Sequence, residues 1–217
     1  VARYVDRQHG GQYDSRAALI VVDGMAYWQA VMLAREIGCR AQRCAFDYHC
    51  IYSWLPSVTE LSRQALFRGD RPVTDYNQSP ALEARLWEEF WTDKRLLPQS
   101  IYYQHGGEIS APSSATARLG YVCMDLDNMM HSAATASYLY DDTRRWVSET
   151  PLVAGIAKLL EERFTVYLTS DHGNIETTPY RPLSAADRVT SVFRSNRAVT
   201  LADDVAPEYF EQTYKGH

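Results

Sequence analysis

The sequence lacks the features that mark several classes of protein. No two of its cysteines form a CxxC pair, which argues against a zinc site built from thiolates. No apolar run approaches the roughly 18 residues that a membrane-spanning helix requires. The chain has no internal repeat and no low-complexity tract, and its aromatic content of 12% argues against disorder. These absences favour a globular protein whose thiols are reduced and mostly buried, namely Cys39, Cys44, Cys50 and Cys123.

An excess of positive charge is also missing. The chain has 22 Lys and Arg against 27 Asp and Glu, a net charge of −5. This argues against a protein that binds nucleic acid through its overall positive charge, although a local basic patch remains an alternative. The first eleven residues are polar and resemble no signal peptide, so we expect a cytoplasmic protein with no membrane partner. Because the chain begins at Val1 rather than Met, we expect a mature or excised fragment, and a lost leader remains an alternative.

Apolar runs alternate with helix-spaced patterns along the 217 residues, which we expect to form one domain. Ala17–Val22 predicts a parallel strand buried on both faces, and Asp23-Gly24 ends it. Met25–Glu36 predicts a helix, with Gly38 suited to its end. Further strands are predicted at 39–51, 100–104, 119–126 and 165–170, and further helices at 59–67, 81–91 (inner stripe Leu82, Leu86 and Phe90), 129–140 and 151–164, while 189–201 alternates as a strand does. Strands that alternate with helices in this way indicate an α/β fold.

The stretch Val166–Asn174 organises the rest of the chain. It begins as a buried strand and breaks abruptly into Asp171, His172 and Gly173. In open α/β sheets, ligands bind at the carboxyl ends of the strands, and Asp and His are both able to bind metal ions. The alternative is that Asp171 and His172 are ordinary turn residues.

Acidic and histidine residues follow two other predicted strands. Asp23 ends the first strand, and Asp127 and His131 follow the strand at 119–126. Because Asp127 and His131 are four residues apart, they face the same way on a helix. In a parallel sheet, all three strand ends open on the same edge. Aspartates and neutral imidazoles suit zinc, and also manganese.

Thr59 lies at the predicted start of a helix, where backbone N–H groups and the helix dipole favour an anion. Its hydroxyl is a poor nucleophile unless a base or a metal lowers its pKa. Arg63, one turn later, is placed to face the same site and bind a phosphate in a bidentate manner. The alternatives are an N-cap role for Thr59 and a surface or ion-paired role for Arg63.

Four segments in this order resemble the PglZ domain of bacterial phage-defence (BREX) systems, a family of the alkaline phosphatase superfamily. They are LIVVDGM (19–25), PSVTELSRQALFRG (56–69), DNMMH (127–131) and SDHGNI (170–175). The resemblance spans residues 19–175, and its most specific part is the stretch from Thr59 to Gly69. It implies a three-layer α/β sandwich with a mostly parallel central sheet and an alkaline phosphatase-like core.

The resemblance also implies a phosphoester hydrolase with two divalent metal ions, and it implies defence-system proteins as partners. Thr59 would be the nucleophile, activated by a metal on Asp23, Asp171 and His172. The second metal would bind Asp127 and His131. The superfamily usually adds a late histidine to this second site, and His217 is the candidate. His105, which precedes Gly106-Gly107, is the fallback, although it comes before the second metal motif in the chain.

The substrate is left open among monoesters, phosphodiesters such as a cyclic nucleotide or nucleic acid, and phosphonates. The threonine nucleophile is similar to that of the nucleotide pyrophosphatase/phosphodiesterase branch, which favours diesters. The alternative of another class is a catalytically inert PglZ-like interaction module of a defence complex. A metal-dependent mutase fits less well, because that branch normally has a serine nucleophile and a large inserted domain.

Overall fold

The computed structural model describes residues 1–9, 12, 14–41, 44–73, 76–110, 112–175, 191–194 and 199–201. Four parallel strands in these ranges form one sheet, in the order β2-β3-β1-β4, and two more form a separate antiparallel pair. The strands are β1 (Arg16–Val22), β2 (Ile101–His105), β3 (Arg118–Cys123), β4 (Phe164–Thr169), β5 (Ser191–Arg194) and β6 (Val199–Leu201).

Helices cover both faces of the parallel sheet. They are α1 (Ala2–His9), α2 (Tyr27–Arg40), α3 (Thr59–Arg68), α4 (Pro80–Thr92), α5 (Asp125–Ser132), α6 (Ala136–Glu149) and α7 (Pro151–Glu161). None of the helices in the described ranges is long and apolar enough to cross a membrane. The predicted α/β sandwich with a parallel sheet is confirmed, whereas the prediction that 1–217 form one domain stays a prediction.

The central strand β1 explains why the fold has three layers. Its apolar residues alternate between two hydrophobic clusters, and none of them is more than 1% exposed. One set packs with residues of α2 and α7, and the other packs with residues of α3 and α4. A strand buried on both faces needs an unbroken apolar run, which is what Ala17–Val22 provides.

The strand predicted at 39–51 is wrong. Helix α2 continues to Arg40, and residues 44–50 form neither helix nor strand. Gly38, expected to end the helix, lies inside it. A Cβ atom there would lie 3.3 Å from Cε2 of Phe46, so the absence of a side chain lets that ring approach the helix.

The helix predicted at 129–140 is two helices. Helix α5 begins earlier, at Asp125, and α6 begins after Thr135, whose side chain accepts a hydrogen bond from the backbone N–H of Tyr138 at 3.3 Å. An N-cap of this kind starts a new helix and ends the continuity of the old one. The early start of α5 places Asp127 in its first turn, next to the end of β3.

Candidate metal centre

Three neighbouring strands bring the predicted acidic and histidine side chains to one edge of the sheet. Asp23 follows β1, Asp127 lies in the first turn of the helix after β3, and Asp171 and His172 come directly after β4. The strand β1 lies between β3 and β4, and its Val21 is in register with Val122 of β3 and Thr169 of β4. The three strand ends therefore meet, as the sequence predicts.

Asp23, Asp127 and His172 form the closest group. One ligand atom from each lies within 4.8 Å of the other two. Asp23 is fully buried and the His172 side chain is 2% exposed. The structure thus brings together residues that the sequence assigns to two different metal ions, because Asp127 approaches Asp23 and His172 directly.

The imidazole of His172 is oriented for use as a ligand. Its Nδ1 lies 2.9 Å from the carbonyl oxygen of Gly173. A carbonyl oxygen only accepts hydrogen bonds, so in the neutral ring Nδ1 carries the proton and Nε2 carries the lone pair. This Nε2 lies 3.6 Å from Asp23 Oδ1 and 3.8 Å from Asp171 Oδ2. A backbone carbonyl on the far nitrogen is the usual way in which proteins orient a metal-binding histidine.

Asp23 and Asp171 each use one carboxylate oxygen within the protein. Asp171 Oδ1 accepts hydrogen bonds from the backbone N–H groups of Gly24 (3.1 Å) and His172 (2.9 Å). Asp23 Oδ2 accepts one from Arg63. Among the described residues, no nitrogen donor reaches the other two oxygens, Asp23 Oδ1 and Asp171 Oδ2, although both are buried. The two carboxyl groups hydrogen-bond each other when Asp23 is protonated. Buried oxygens without a donor are costly unless something else binds them.

The electrostatics of this edge favour a cation. Burial, followed by the negative charge of Asp171, raises the pKa of Asp23 to about 8. Burial also raises the pKa of Asp171. Arg63 forms ion pairs with both Asp23 and the buried Glu83, so one positive charge is paired with two carboxylates. Asp127 and Asp171 add further carboxylates, which leaves an excess of acidic groups at this edge. Carboxylate oxygens and a neutral imidazole with excess negative charge fit a divalent metal ion.

Thr59 lies beside this group, with its Oγ1 3.0 Å from His172 Nε2. The alternative of an N-cap role is wrong. Val58 is the N-cap, its carbonyl oxygen accepts the N–H of Ser62 at 3.0 Å, and Thr59 is the first residue of α3. Its side chain is therefore turned to His172, and it stays at the positive end of the helix.

Arg63 is engaged by two carboxylates. Its Nε donates to Glu83 Oε1 at 2.8 Å and its Nη1 donates to Asp23 Oδ2 at 2.9 Å, and its side chain is 4% exposed. Nε and Nη1 of Arg63 therefore bind carboxylates rather than the phosphate that was predicted. The ion-paired alternative, which the sequence left open, describes the structure.

Three further histidines were candidates for the second metal ion. His131 Nε2 lies 3.5 Å from Asp127 Oδ1, and its side chain is 57% exposed. The fallback His105 ends β2 and is not in the closest group, and its pKa is lowered by burial and by the charge of Arg63. His217 lies outside the described residues. That His131 and His217 bind a second metal stays a prediction.

Supporting residues around the site were missed at the sequence level. Ser170 Oγ donates to the Val22 carbonyl oxygen at 2.9 Å, and the Asn174 amide donates to the Gly24 carbonyl oxygen at 2.6 Å. These bonds join the loops after β1 and β4. Both residues lie in the SDHGNI segment, so the motif itself pointed to them. Their spacing, however, does not indicate which backbone groups they bind. Glu83 had no signal beyond its position in a helix.

A comparison with protein families agrees with this geometry. Residues 3–107 match the family model described as "BREX system PglZ alkaline phosphatase-like domain". This part of the chain, just under half of it, is similar to a PglZ domain. The matched range of the PglZ model includes Asp23, Thr59 and Arg63, and it ends before Asp127. No curated protein matches the chain. The resemblance is thus confirmed over residues 3–107, and so is the alkaline phosphatase-like fold, whereas the segments at 127–131 and 170–175 lie outside the match.

Proposed function

We propose that this chain is a metal-dependent phosphoester hydrolase that attacks phosphorus with the Thr59 hydroxyl and serves in bacterial phage defence. The observation that carries the proposal is the 3.0 Å contact of Thr59 Oγ1 with His172 Nε2, because this nitrogen belongs to the carboxylate and imidazole group. The alkaline phosphatase-like family supports the reaction class, and its BREX description supports a role in defence.

Two groups of residues would each hold one metal ion. Asp23, Asp171 and His172 would hold the first ion. Asp127 and His131 would hold the second, with His217 as a further ligand. Bound zinc, or manganese, would lower the pKa of the hydroxyl nucleophile and stabilise the charge on the leaving oxygen.

The protein's own groups prepare the attack. The Thr59 hydroxyl donates to the unprotonated Nε2 of His172, so its oxygen lies beside the nitrogen that would hold the first ion. The first N–H groups of α3 have no partners within the helix, and with the helix dipole they would stabilise the equatorial oxygens of the phosphoryl group. As the bond from Oγ1 to phosphorus forms, the hydroxyl proton of Thr59 passes to solvent, the bond to the leaving oxygen breaks, and that oxygen takes up a proton from solvent. Water then attacks the phosphothreonine, the bond from phosphorus to Oγ1 breaks, phosphate or a phosphomonoester is released, and one proton of the water goes to Oγ1 of Thr59.

We also propose a class of substrate, a class of partner and a cellular compartment. A phosphodiester, such as a nucleotide or a nucleic acid, is the favoured substrate because the nucleophile is a threonine. Proteins of a defence system are the proposed partners, and the cytoplasm is the proposed compartment.

Replacement of the nucleophile tests the function. We expect Thr59→Ala to lower the hydrolysis of bis-p-nitrophenyl phosphate by roughly 10³-fold or more, because removal of a nucleophile costs this much or more in comparable enzymes. Thr59→Ser keeps a hydroxyl and is the matched control, for which we expect measurable turnover. Metal content, measured by elemental analysis, should be the same in both variants and the wild type. Unchanged turnover in Thr59→Ala would rule out this nucleophile.

The same assay addresses the interaction-module alternative. An inert module predicts no turnover of bis-p-nitrophenyl phosphate or p-nitrophenyl phosphate by the wild type, with or without added metal. The engagement of Arg63 by Asp23 and Glu83 is the observation in favour of this alternative, since it leaves Nε and Nη1 unavailable to a phosphate.

A further inference from the structure

A buried ionic chain lies behind the metal centre and connects it to helix α4. The guanidinium of Arg63 lies between two fully buried carboxylates, those of Asp23 and Glu83. Glu83 comes from α4, whereas Asp23 follows β1, so the two acids meet only through Arg63. Nothing in the proposed reaction uses Glu83.

Glu83 is itself held on both of its oxygens. Oε1 accepts hydrogen bonds from Arg63 and, at 2.7 Å, from the side-chain amide of Gln78. Oε2 accepts one from the hydroxyl of Tyr103 on β2, at 2.5 Å. These three donors come from α3, from the loop that precedes α4 and from β2. A carboxylate fixed in this way has a single position, and so does the guanidinium that it binds.

The burial of this pair has little value for stability alone. Desolvation of two charges offsets much of their attraction, and well-packed apolar residues often serve as well. What the pair provides is orientation. Arg63 Nη1 is bound to Asp23 Oδ2, whereas Asp23 Oδ1 is the oxygen that lies 3.6 Å from His172 Nε2. The ionic contacts from Glu83 through Arg63 to Asp23 thus determine which oxygen of Asp23 faces the other candidate ligands.

We propose that Glu83 is a positioning residue of the metal centre. Through Arg63, it holds Asp23 so that Oδ1 is presented to a single divalent cation while Oδ2 stays on the guanidinium. In the absence of the Glu83 charge, the only acid left within reach of Nε and Nη1 in the described contacts is Asp23. The guanidinium would then compete with the cation for that carboxylate. The effect on turnover rests on the proposed function, whereas the effect on metal binding does not.

The test is metal affinity, measured by titration calorimetry with Zn²⁺ alone and no substrate. We expect Glu83→Gln to weaken binding roughly 10- to 100-fold, the usual cost of losing a residue that orients a metal ligand. Glu89→Gln is the matched control, since it makes the same change on the same helix, in a surface pair with Arg85. We expect it to bind Zn²⁺ like the wild type. Tyr103→Phe, which removes one donor to Glu83, should weaken binding less than Glu83→Gln.

A second readout separates positioning from a general loss of structure. If Glu83 acts through the metal, raising the Zn²⁺ concentration restores phosphodiester turnover in Glu83→Gln. A merely structural role would leave turnover low at every Zn²⁺ concentration. Urea unfolding of the metal-free proteins shows whether each variant folds.

The outcomes distinguish this proposal from the proposed function. Wild-type affinity in a folded Glu83→Gln variant would overturn the role of Glu83, even if Thr59→Ala abolished turnover. Weakened affinity in a protein without turnover would support the role of Glu83 and contradict the hydrolase. If Glu83→Gln does not fold, unchanged affinity in Tyr103→Phe overturns the proposal. Failure of the wild type to bind Zn²⁺ overturns it as well.

Discussion

Gly24 is the residue at which backbone geometry and the metal centre meet most closely. Its φ of +66° lies in the left-handed region, and its N–H donates to Asp171 Oδ1. A Cβ atom at this position would lie 3.3 Å from Asp127 Oδ1. The glycine therefore permits both the sharp turn after β1 and the close approach of Asp127 to Asp23.

We expect Gly24→Ala to weaken Zn²⁺ binding and to lower the free energy of unfolding by about 1–2 kcal/mol, the cost of a left-handed conformation for an ordinary residue. Gly106→Ala is the control. Gly106 has a φ of +69° but nothing within 4 Å of a Cβ atom, so this variant has the strain without the contact. Calorimetric titration and urea unfolding measure the two effects. Equal Zn²⁺ affinity in the two variants would contradict the role assigned to Gly24.

At the scale of elements, helix α4 shows where sequence pattern fails. The predicted inner stripe of Leu82, Leu86 and Phe90 is only partly buried. The buried stripe is shifted by one residue to Glu83, Trp87 and Trp91. The Trp87 ring packs on Gly120 of β3, where a Cβ atom would lie 3.2 Å from it. Two large buried rings, of which Trp87 packs on a glycine, set the rotation of the helix.

The shift in α4 predicts unequal costs for neighbouring truncations. We expect Trp87→Ala to lower the free energy of unfolding by about 3–5 kcal/mol, because it leaves a cavity in the core. Leu86→Ala should cost about 1 kcal/mol, since part of its side chain is already in water. Urea denaturation of both variants provides the comparison. A larger loss for Leu86→Ala would mean that the stripe predicted from the sequence is the correct one.

How much of this molecule can be predicted from its sequence differs between elements. The strand β1 and the meeting of the candidate ligands Asp23, Asp127, Asp171 and His172 are predictable, because an apolar run and the parallel arrangement fix where strand ends meet. Glu83 is not, since a charged residue counts as exposed in any periodicity argument. Its burial depends on Arg63, which is twenty residues away and oriented only by the tertiary fold. For the same reason, the contact of Arg63 with Asp23 could not be predicted from the sequence, from which a phosphate contact was expected instead.

At the scale of the whole molecule, the uncompensated carboxylates connect the metal centre to global stability. The pKa of Asp23 is raised to about 8, well above the value of about 4 that an aspartate has in an unfolded chain. The folded, metal-free protein therefore keeps a proton that the unfolded chain has released. Because the folded state binds more protons, stability falls as the pH rises from about 4 to about 8.

We therefore expect the metal-free protein to lose stability between pH 5 and pH 8 relative to Asp23→Asn, which has no carboxylate to ionise at this position. Urea unfolding of both proteins, in a chelating buffer, measures the difference at each pH. Titrating groups that do not interact with Asp23, such as His9, contribute equally to both proteins and cancel, whereas Asp171 interacts with Asp23 and contributes to the difference. A difference that is constant with pH, or that grows toward acid, would contradict the raised pKa of Asp23.

The most direct test of the central claim is the rate at which p-nitrophenol is released from bis-p-nitrophenyl phosphate by the wild-type chain, before chelation, after it, and after Zn²⁺ or Mn²⁺ is returned. Our account predicts turnover that disappears with the metal and comes back with it. The absence of turnover in the metal-loaded protein, on this ester and on p-nitrophenyl phosphate, would contradict the hydrolase and leave the inert interaction module as the better description.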